Sequence, residues 1–497
     1  MNEKTKTTIF VTLAILLGFV AYQTTKSSQQ TFQVEDMVGQ ELFPELTDAL
    51  QVTSMEIVRY DEKTGELVPF EVRQVNHQWS LPSHDHYPAD AENQVVQAAT
   101  SLMGLRVIRV VSRNASSHAD YGVLEPDPTK VRMGDSGVGE KVVLKNAQGE
   151  ILLNLIIGKE VDAGSGKRYV RRLGQDPVYI VELKTENLSA DFADWIEKDL
   201  MKLQPWDITG LDIYDYSLDL AAGTTNIRGN VRLDYADMQT PDWTLESNQV
   251  PLANGAMVER PMPEGKVLNR TKLNECRNAL AEMRIVDVAK KPDGLTADLK
   301  VPGNLAFSQD AVESLKTKGF HLIEFPIEEG KTQRVLLSNE GEMRVVCKNG
   351  VAYILRFGNI AGKQAFTEAT PESETANLNR YLFIMADWEP DTVEKETLQP
   401  LPQEPAADAS EDVKSQYAAQ KVAIETTNKA LEEKNQKALE EAQKRVQELN
   451  DRFASWYYII PDSVYQQIHL DYGDIFVPPS ETEVQEEPPH EHDGHEH

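Results

Sequence analysis

Apolar residues recur at helical spacing in two stretches of the chain, residues 93–110 and residues 271–288. Each stretch places four apolar residues on one face of a helix and then continues into a β-branched strand start. The four positions are Val95, Ala98, Leu102 and Leu105 in the first stretch, and Leu273, Cys276, Leu280 and Met283 in the second. The constant offset of 178 residues predicts an internal repeat.

Other short segments match in the same order along the chain. They are MEIVRY (55–60) with LDIYDY (211–216), HQWSL (77–81) with PDWTL (241–245), KVVLKN (141–146) with RVVCKN (344–349), Gly158 with Gly358, KRYV (167–170) with NRYL (379–382), and FADW (192–195) with FASW (453–456). We therefore expect a tandem duplication, with copy A at 47–206 and copy B at 207–477. Chance similarity between any two α+β stretches is the alternative.

The same pattern predicts the fold class of each copy. Period-two alternation, as in FEVRQV, and the turn dipeptide Asn349-Gly350 indicate strands joined by hairpins. Helical segments are few and do not alternate with the strands, which favours α+β over a doubly wound sheet. We expect a mainly antiparallel sheet with one helix per copy.

Copy B carries an insertion at about 389–452. Its first part is rich in proline and acidic residues and predicts a linker, whereas Asp408 to Trp456 contains no glycine or proline and predicts one long helix. A thin apolar stripe follows that helix and is interrupted at Thr427 and Asn435: Tyr417, Ile424, Leu431, Ala438, Ala442, Val446, Leu449 and Phe453. A solvated arm, an intramolecular helical pair and an intermolecular coiled coil are all compatible with this stripe.

The N-terminus predicts a membrane anchor at residues 7–25. Nineteen uncharged residues lie between Lys6 and Lys26, and as a helix they would span about 28 Å, close to the thickness of the hydrocarbon core. The apolar anchor residues are Ile9, Phe10, Val11, Leu13, Ile15, Leu16, Leu17, Phe19 and Val20. The lysines before the span favour residues 1–6 in the cytoplasm, with the linker 26–46 and the bulk of the chain outside. A cleaved signal peptide is the alternative.

Charge and cysteine content narrow the function classes. The formal net charge of −30 argues against nucleic acid as a partner. Cys276 and Cys347 are the two cysteines, too few for a disulfide scaffold or a four-cysteine zinc site. They match Ala98 and Leu144 in copy A, so we expect buried thiols. A disulfide between them stays open at this stage.

Histidines cluster in the acidic tail 478–497, whose composition predicts disorder. His490, His492, His495 and His497 are weak candidates for metal binding, because ordering a tail around an ion costs entropy. His84 and His86 lie in a loop between prolines. No catalytic residue and no cofactor is predicted.

Several motifs resemble a known bacterial family. They are Trp79-Ser-Leu-Pro82, YPADAENQVVQAATSLMGLRV (87–107), YGVLEP (121–126) and the strand end Ile157-Gly158. Over most of residues 50–390 the chain resembles domain of unknown function 4340. The resemblance implies membrane-anchored, extracytoplasmic proteins that are often encoded beside gliding-motility-type ABC transporter components. It supplies no catalytic residues, and the long helical insertion departs from the simpler family pattern.

Three function hypotheses follow. The first is a non-enzymatic scaffold or binding protein, single-pass in the bacterial cytoplasmic membrane with a periplasmic body, whose protein partners include ABC transporter subunits. The second is an extracytoplasmic hydrolase that acts on envelope polymers. The third is a weak envelope metal-binding protein that uses the histidine-rich tail.

Overall fold

The computed structural model describes residues 37–62, 64–219, 224–236, 242–291, 309–328, 331–363, 378–406 and 410–479. The chain divides into two compact units, Met1–Ile196 and Glu197–His497. This division falls before the boundary at 206 that the sequence predicts. Residues just after Ile196 belong to the second unit because they bond within it: the Lys198 carbonyl accepts the Ile285 N–H, and Asp199 pairs with Arg284.

The first unit contains a nine-stranded sheet in which all neighbouring strands are antiparallel. Its order is β4-β3-β2-β1-β6-β7-β8-β9-β5. The strands are β1 (Ser54–Asp61), β2 (Glu66–Val75), β3 (Gln78–Leu81), β4 (Tyr87–Pro88), β5 (Arg109–Ser112), β6 (Glu140–Lys145), β7 (Ile151–Glu160), β8 (Lys167–Arg172) and β9 (Val178–Glu182). Helix α1 (Glu92–Leu102) precedes β5, and α2 (His118–Tyr121) precedes β6.

The second unit contains another antiparallel nine-stranded sheet, of order β13-β12-β11-β10-β18-β19-β20-β21-β15. Its strands are β10 (Ile208–Asp219), β11 (Thr224–Ala236), β12 (Asp242–Pro251), β13 (Met257–Glu259), β15 (Asp287–Lys290), β18 (Glu342–Cys347), β19 (Val351–Lys363), β20 (Leu378–Trp388) and β21 (Trp456–Pro461). Two small sheets pair β14 (Val267–Leu268) with β22 (Phe476–Val477), and β16 (Phe320–Glu328) with β17 (Lys331–Ser338). The helices are α3 (Arg270–Glu282), α4 (Gln309–Thr317), α5 (Glu411–Phe453), α6 (Asp462–Ile468) and α7 (Tyr472–Ile475). The α+β class with large antiparallel sheets is confirmed. The expectation of one helix per copy is wrong: the described residues of the first unit contain α1 and α2, and those of the second contain α3, α4, α6 and α7 besides the long α5. Helices of four to nine residues, such as α2, α4, α6 and α7, span too few turns to produce a clear apolar period.

The predicted amphipathic helices are α1 and α3, and their apolar faces are buried. Val95, Ala98 and Leu102 of α1 are inaccessible to solvent or nearly so, as are Leu273, Cys276 and Leu280 of α3. Burying a leucine or valine side chain contributes about 1.5–3 kcal/mol, so these faces hold each helix in place. The period of 3.6 therefore predicted both helices correctly.

The two sheets share strand order and residue register. In the first sheet β5 places Arg109 opposite Ile180 of β9, and in the second sheet β15 places Asp287 opposite Ile459 of β21. Likewise Tyr169 of β8 lies opposite Ile180, and Tyr381 of β20 lies opposite Ile459. Strand β21 therefore occupies the position of β9.

This register shows that the predicted match of FADW with FASW is wrong. Phe192–Trp195 is a one-turn 3-10 helix that follows β9, whereas Phe453 ends α5 and Trp456 begins β21. The counterpart of Phe192–Trp195 is α7 (Tyr472–Ile475), which is also a single turn. It follows β21, as Phe192–Trp195 follows β9.

Long-range hydrogen bonds support this reassignment. The Trp195 carbonyl accepts the N–H of Asp90 at the start of α1, and the Ile475 carbonyl accepts the N–H of Asn269 at the start of α3, both at 2.9 Å. The sequences, Asp191-Phe-Ala-Asp-Trp195 and Asp471-Tyr-Gly-Asp-Ile475, share an aspartate, an aromatic, a small residue, an aspartate and an apolar residue. Each turn therefore fixes the N-terminal end of its helix.

A second shared contact surrounds the matched glycines. A Cβ atom on Gly158 would lie 2.4 Å from the Tyr121 carbonyl oxygen, and one on Gly358 would lie 2.1 Å from the Lys318 carbonyl oxygen. Arg168 donates to the Gly158 carbonyl at 3.3 Å, and Arg380 donates to the Gly358 carbonyl at 2.8 Å. Only glycine allows the last residue of α2, or the residue after α4, to approach the strand this closely.

Candidate interaction surfaces

The predicted anchor residues 7–25 and the tail histidines at 490–497 lie outside the described residues. Among the helices that are described, none combines the length and apolar character needed to cross a bilayer. No group of three or more His, Cys, Asp or Glu side chains within the described ranges is arranged to hold a metal ion. The anchor and the metal-binding tail remain predictions.

Both cysteines are free and buried, so the structure contains no disulfide between them. Cys276 lies on the buried face of α3 and donates to the Ile468 carbonyl at 3.4 Å. Burial raises the pKa of each thiol, Cys276 and Cys347, to about 12. Because the thiolate is the reactive form, these residues are unsuited to nucleophilic catalysis.

His84 and His86 belong to a tight turn between β3 and β4. Asp85 and His86 have positive φ angles of 53° and 63°. The His84 ring packs on Phe192, with 4.6 Å between the ring centroids. This pair therefore joins the β3–β4 turn to the turn that follows β9.

The insertion forms an arm, which we define as the strap 393–406 together with helix α5 (Glu411–Phe453). The predicted helix is confirmed, with ends within three residues of those expected, and Ser410 caps its N-terminus. At 1.5 Å per residue the 43 residues of α5 extend about 64 Å. The first unit connects the corresponding strands, β8 and β9, through residues 173–177 alone.

Two asparagines of α5 fasten the strap to the helix. The Asn435 side chain accepts the Glu396 N–H at 2.8 Å and donates to the Glu396 carbonyl at 3.0 Å. Asn428 makes the same pair of bonds to Gln399, both at 2.8 Å. Seven helical residues advance about 10.5 Å and three extended residues advance about 9–10 Å, so the two registers match. Asn435 therefore interrupts the apolar stripe because it binds the strap.

The root of the arm, which we define as Val393 and the C-terminal third of α5, is fixed to the second sheet. Ala442 of α5 and Val393 of the strap are buried beside Gly350, where an added Cβ would lie 2.9 Å from Ala442 Cβ and 2.5 Å from Val393 Cγ2. Asn450 exchanges two 2.8 Å bonds with the Ala386 backbone. These contacts involve the C-terminal third of α5, whereas its N-terminal part is covered on one side by the strap.

Lys291 contacts the C-terminal end of α5, where the arm joins the second sheet. Its ammonium donates to the Phe453 carbonyl at 3.0 Å and lies 3.8 Å from the centroid of the Phe383 ring. The side chain is almost completely buried, and burial lowers the pKa of Lys291 to about 7. A cation at the C-terminal end of a helix interacts favourably with the helix dipole.

A groove runs along the outer edge of β12 in the second sheet, with a volume of about 640 Å³. One wall is β12 from Trp243 to Asn248, and the opposite wall is formed by Glu259–Met262, Val267–Leu268 and Arg270. Arg270 pairs with Asp242, with 2.7 Å between Nη2 and Oδ2. Arg260 is exposed and makes no ion pair within the described residues.

The Trp79 and Trp243 side chains occupy matching strands but differ in partner. Trp243 donates its indole N–H to Asn274 of α3 at 2.9 Å. In the first unit the indole N–H of Trp79 is buried without a partner in the described chain, and the residue at the position of Asn274 is Val96. The predicted pairing of these two tryptophans is consistent with the shared strand order.

Residues 79–302 match the family described as Domain of unknown function (DUF4340). The DUF4340 resemblance that the sequence motifs indicated is therefore confirmed for this region. The DUF4340 match begins at Trp79 in β3, includes the whole of helices α1 and α3, and ends before the arm, so the arm lies outside it. No curated protein and no solved structure matches the chain.

Sequence reasoning missed the strap register and the open edge of β12. The interruption of the apolar stripe at Asn435 was the one signal for the strap, and it does not identify the segment that this asparagine binds. The edge of β12 had no such signal, because an unpaired edge depends on which other strand reaches it.

Proposed function

We propose that this protein is a non-enzymatic scaffold, tethered to the bacterial cytoplasmic membrane by residues 7–25, that uses its arm to bind a protein partner outside the cytoplasm. The resemblance to DUF4340 makes a component of an ABC-type transporter the partner class. Tandem duplication of one α+β module supplies the body, and the arm is an addition to a single copy.

The observation that carries this proposal is the position of the arm. It replaces the short turn 173–177 of the first unit, and the strands on either side, β20 and β21, pair as β8 and β9 do. An insertion at a turn leaves the sheet intact, and such sites are where domains tolerate added elements. The arm is therefore not needed to complete the sheet, which favours a role in binding.

The chemistry of the arm also suits a protein partner. Its exposed apolar side chains are separated by charged residues: Leu398, Leu401, Val413 and Val422. Lysine and glutamate pairs at i,i+4 spacing, such as Lys437–Glu441 and Lys444–Glu448, keep the remaining surface soluble. These side chains would give a protein partner apolar contacts on a helix and strap that are fixed to each other.

The test replaces residues 389–455 with Leu-Gly-Gln-Asp-Pro, the sequence of 173–177, in the full-length, detergent-solubilised protein. We expect the folded variant to lose the transporter component that copurifies with the parent protein. A second variant keeps the arm and changes Leu401 and Val422 to Ser, and we expect at least a tenfold loss of the same component. Truncation after Pro479 is the control and should leave recovery unchanged. Equal recovery with both arm variants contradicts the proposal.

A further inference from the structure

The Trp-Ser/Thr-Leu motif has a different backbone environment in the two units. In the first unit the Trp79 carbonyl accepts the Ala89 N–H at 3.0 Å and the Leu81 carbonyl accepts the His86 N–H at 3.0 Å. Strand β4 also pairs with β3 through Ser80 and Leu81. The outer edge of β3 is therefore closed by the chain that leads into α1.

The matching strand of the second unit is open at the same place. Strand β13 pairs only with Gln249, Val250 and Pro251 at the far end of β12. Within the described residues, the carbonyls of Trp243 and Leu245, which correspond to Trp79 and Leu81, accept no backbone hydrogen bond on the outer side.

The direction of the Trp243 and Leu245 backbone groups follows from the hydrogen-bond pattern between β11 and β12. The Trp243 N–H donates to the Asp242 side chain at 2.8 Å, so Trp243 does not bond to Tyr235, its opposite residue on β11. In an antiparallel pair such positions alternate, so the N–H and C=O of Leu245 also point away from β11. The open groups face the groove of about 640 Å³ described above.

We infer that the edge of β12 at Trp243–Ser247 binds an extended segment of a partner protein as an added antiparallel or parallel strand. Main-chain hydrogen bonds to Trp243 and Leu245 would supply affinity, and pockets for alternate side chains would supply specificity.

The groove walls define the occupant. Pro261, Met262, Val267 and Leu268 oppose the strand and offer apolar contacts to alternate side chains. Two carboxylates also line the groove, but Glu259 accepts from Ser247 Oγ and the Asn248 N–H, and Glu246 accepts from Thr244 Oγ1. The Arg260 guanidinium lacks an ion pair in the described chain and therefore suits a carboxylate on the segment. The occupant is a single extended segment with alternating aliphatic residues and an acidic residue.

The experiment selects nonapeptides from a displayed random library on the full-length, detergent-solubilised protein. We expect enrichment of peptides that alternate aliphatic residues and contain Asp or Glu. Synthetic copies should bind with at least tenfold lower affinity to Arg260→Glu and to Leu245→Pro, which removes the Leu245 N–H. The matched control Lys167→Glu reverses an exposed charge in the first unit and should not change binding.

Hydrogen exchange provides the readout that keeps the inference testable if Leu245→Pro fails to fold. The selected peptide should slow exchange of the Leu245 amide in the parent protein and leave the Leu81 amide of the first unit unchanged. The inference is overturned if no such peptide is enriched, if the selected peptides bind the Arg260→Glu variant as tightly as the parent, or if Leu245 gains no protection. Binding that requires a second copy of the chain would also overturn it.

Discussion

The connection between β8 and β9 in the first unit and that between β20 and β21 in the second show how one sheet tolerates two very different loops. Residues 173–177 make the first connection, and residues 389–455 make the second. The strand register on either side is the same, with Tyr169 and Tyr381 each opposite an isoleucine. The same strand pairing therefore accommodates both loops.

The units differ in a second way, at the Trp-Ser/Thr-Leu strand. The first unit closes that edge with its own chain, and the second leaves it open beside a groove. Both differences lie in the second unit, which is where the two proposals above place partner binding. If the comparison is right, residues shared by the units should matter for stability in both, and residues unique to the second should act locally.

The largest expected effect concerns Arg380, which is shared in position with Arg168 but has an additional partner. Arg380 pairs with Asp462 at 2.9 Å in a mostly buried site, so Arg380→Met leaves a carboxylate without its partner. We expect the free energy of unfolding of the second unit to fall by about 3–5 kcal/mol. Arg168→Met loses one hydrogen bond to Gly158, and we expect about 1 kcal/mol.

Denaturant dependence of hydrogen exchange in β20 and β8 measures the two values separately. The double variant Arg380→Met, Asp462→Asn should recover part of the loss. Equal losses for Arg380→Met and Arg168→Met would contradict the added role of Asp462.

Substituting the shared glycines, Gly158 and Gly358, should have the next largest effect on stability. Gly158→Ala and Gly358→Ala each place a Cβ against a backbone carbonyl, at 2.4 and 2.1 Å, and we expect each to lower the free energy of unfolding of its own unit by about 1–3 kcal/mol or more. Gly473→Ala is the matched control, because nothing lies within 4 Å of its Cβ position and the first unit has Ala193 there. It should change stability by less than about 0.5 kcal/mol. A control that destabilises as much as Gly358→Ala would contradict the assignment of α7.

The sequence predicted those parts of the fold that depend on residues close together along the chain, and it failed where distant residues decide the structure. Helices α1 and α3 and the Asn349-Gly350 turn follow from local periodicity and turn chemistry, and Gly350 has the expected positive φ of 80°. The match of FADW to FASW failed because it relied on three identical residues and ignored their place in the fold. FADW follows β9, whereas FASW leads into β21. The correct counterpart, Asp471–Ile475, shares chemistry rather than identity with Asp191–Trp195. Each turn is fixed by a bond to a residue far along the chain, Trp195 to Asp90 and Ile475 to Asn269.

The candidate surfaces were less predictable for the same reason. The sequence predicted a long helix at the right place, but the alternatives of solvated arm, helical pair and coiled coil could not be separated without the strap contacts. The strap binds Asn428 and Asn435 across a chain separation that no local pattern encodes. The open edge of β12 is likewise a property of the whole sheet.

The effect of Lys291 on stability depends on pH. Burial lowers its folded-state pKa to about 7 from an ordinary value of 10.5, so between pH 7 and 10.5 the unfolded chain binds more protons than the folded one. Stability should therefore rise with pH in this window, by up to about 1.4 kcal/mol per pH unit from this group. Below pH 7 both states bind the proton, and the contribution is constant.

Urea unfolding of the parent and of Lys291→Met across pH 6–10 isolates this group, because other titrating residues cancel in the difference. The free energy of unfolding of the parent minus that of Lys291→Met should increase with pH above 7. Lys290→Met, the exposed neighbour, is the control and should leave the pH dependence unchanged. A difference that is flat across the range would show that Lys291 keeps its proton in the root of the arm.

The smallest expected effect concerns the strap. Asn435→Ala and Asn428→Ala each remove two hydrogen bonds at an exposed site, and we expect the local free energy of opening to fall by about 1 kcal/mol each. Hydrogen exchange of the Glu396 and Gln399 amides reports this directly. Lys429→Ala is the control on the same helix. Unchanged exchange in both asparagine variants would contradict the bonding that holds the strap.

The most direct test of the central claim, that the arm is an addition to a complete second module, is hydrogen exchange in the variant that replaces residues 389–455 with Leu-Gly-Gln-Asp-Pro. The account predicts that the amides of β20 and β21 stay protected in this variant, as those of β8 and β9 are in the first unit. Loss of protection along β21 would show that the second sheet needs the arm in order to form, and would contradict the account.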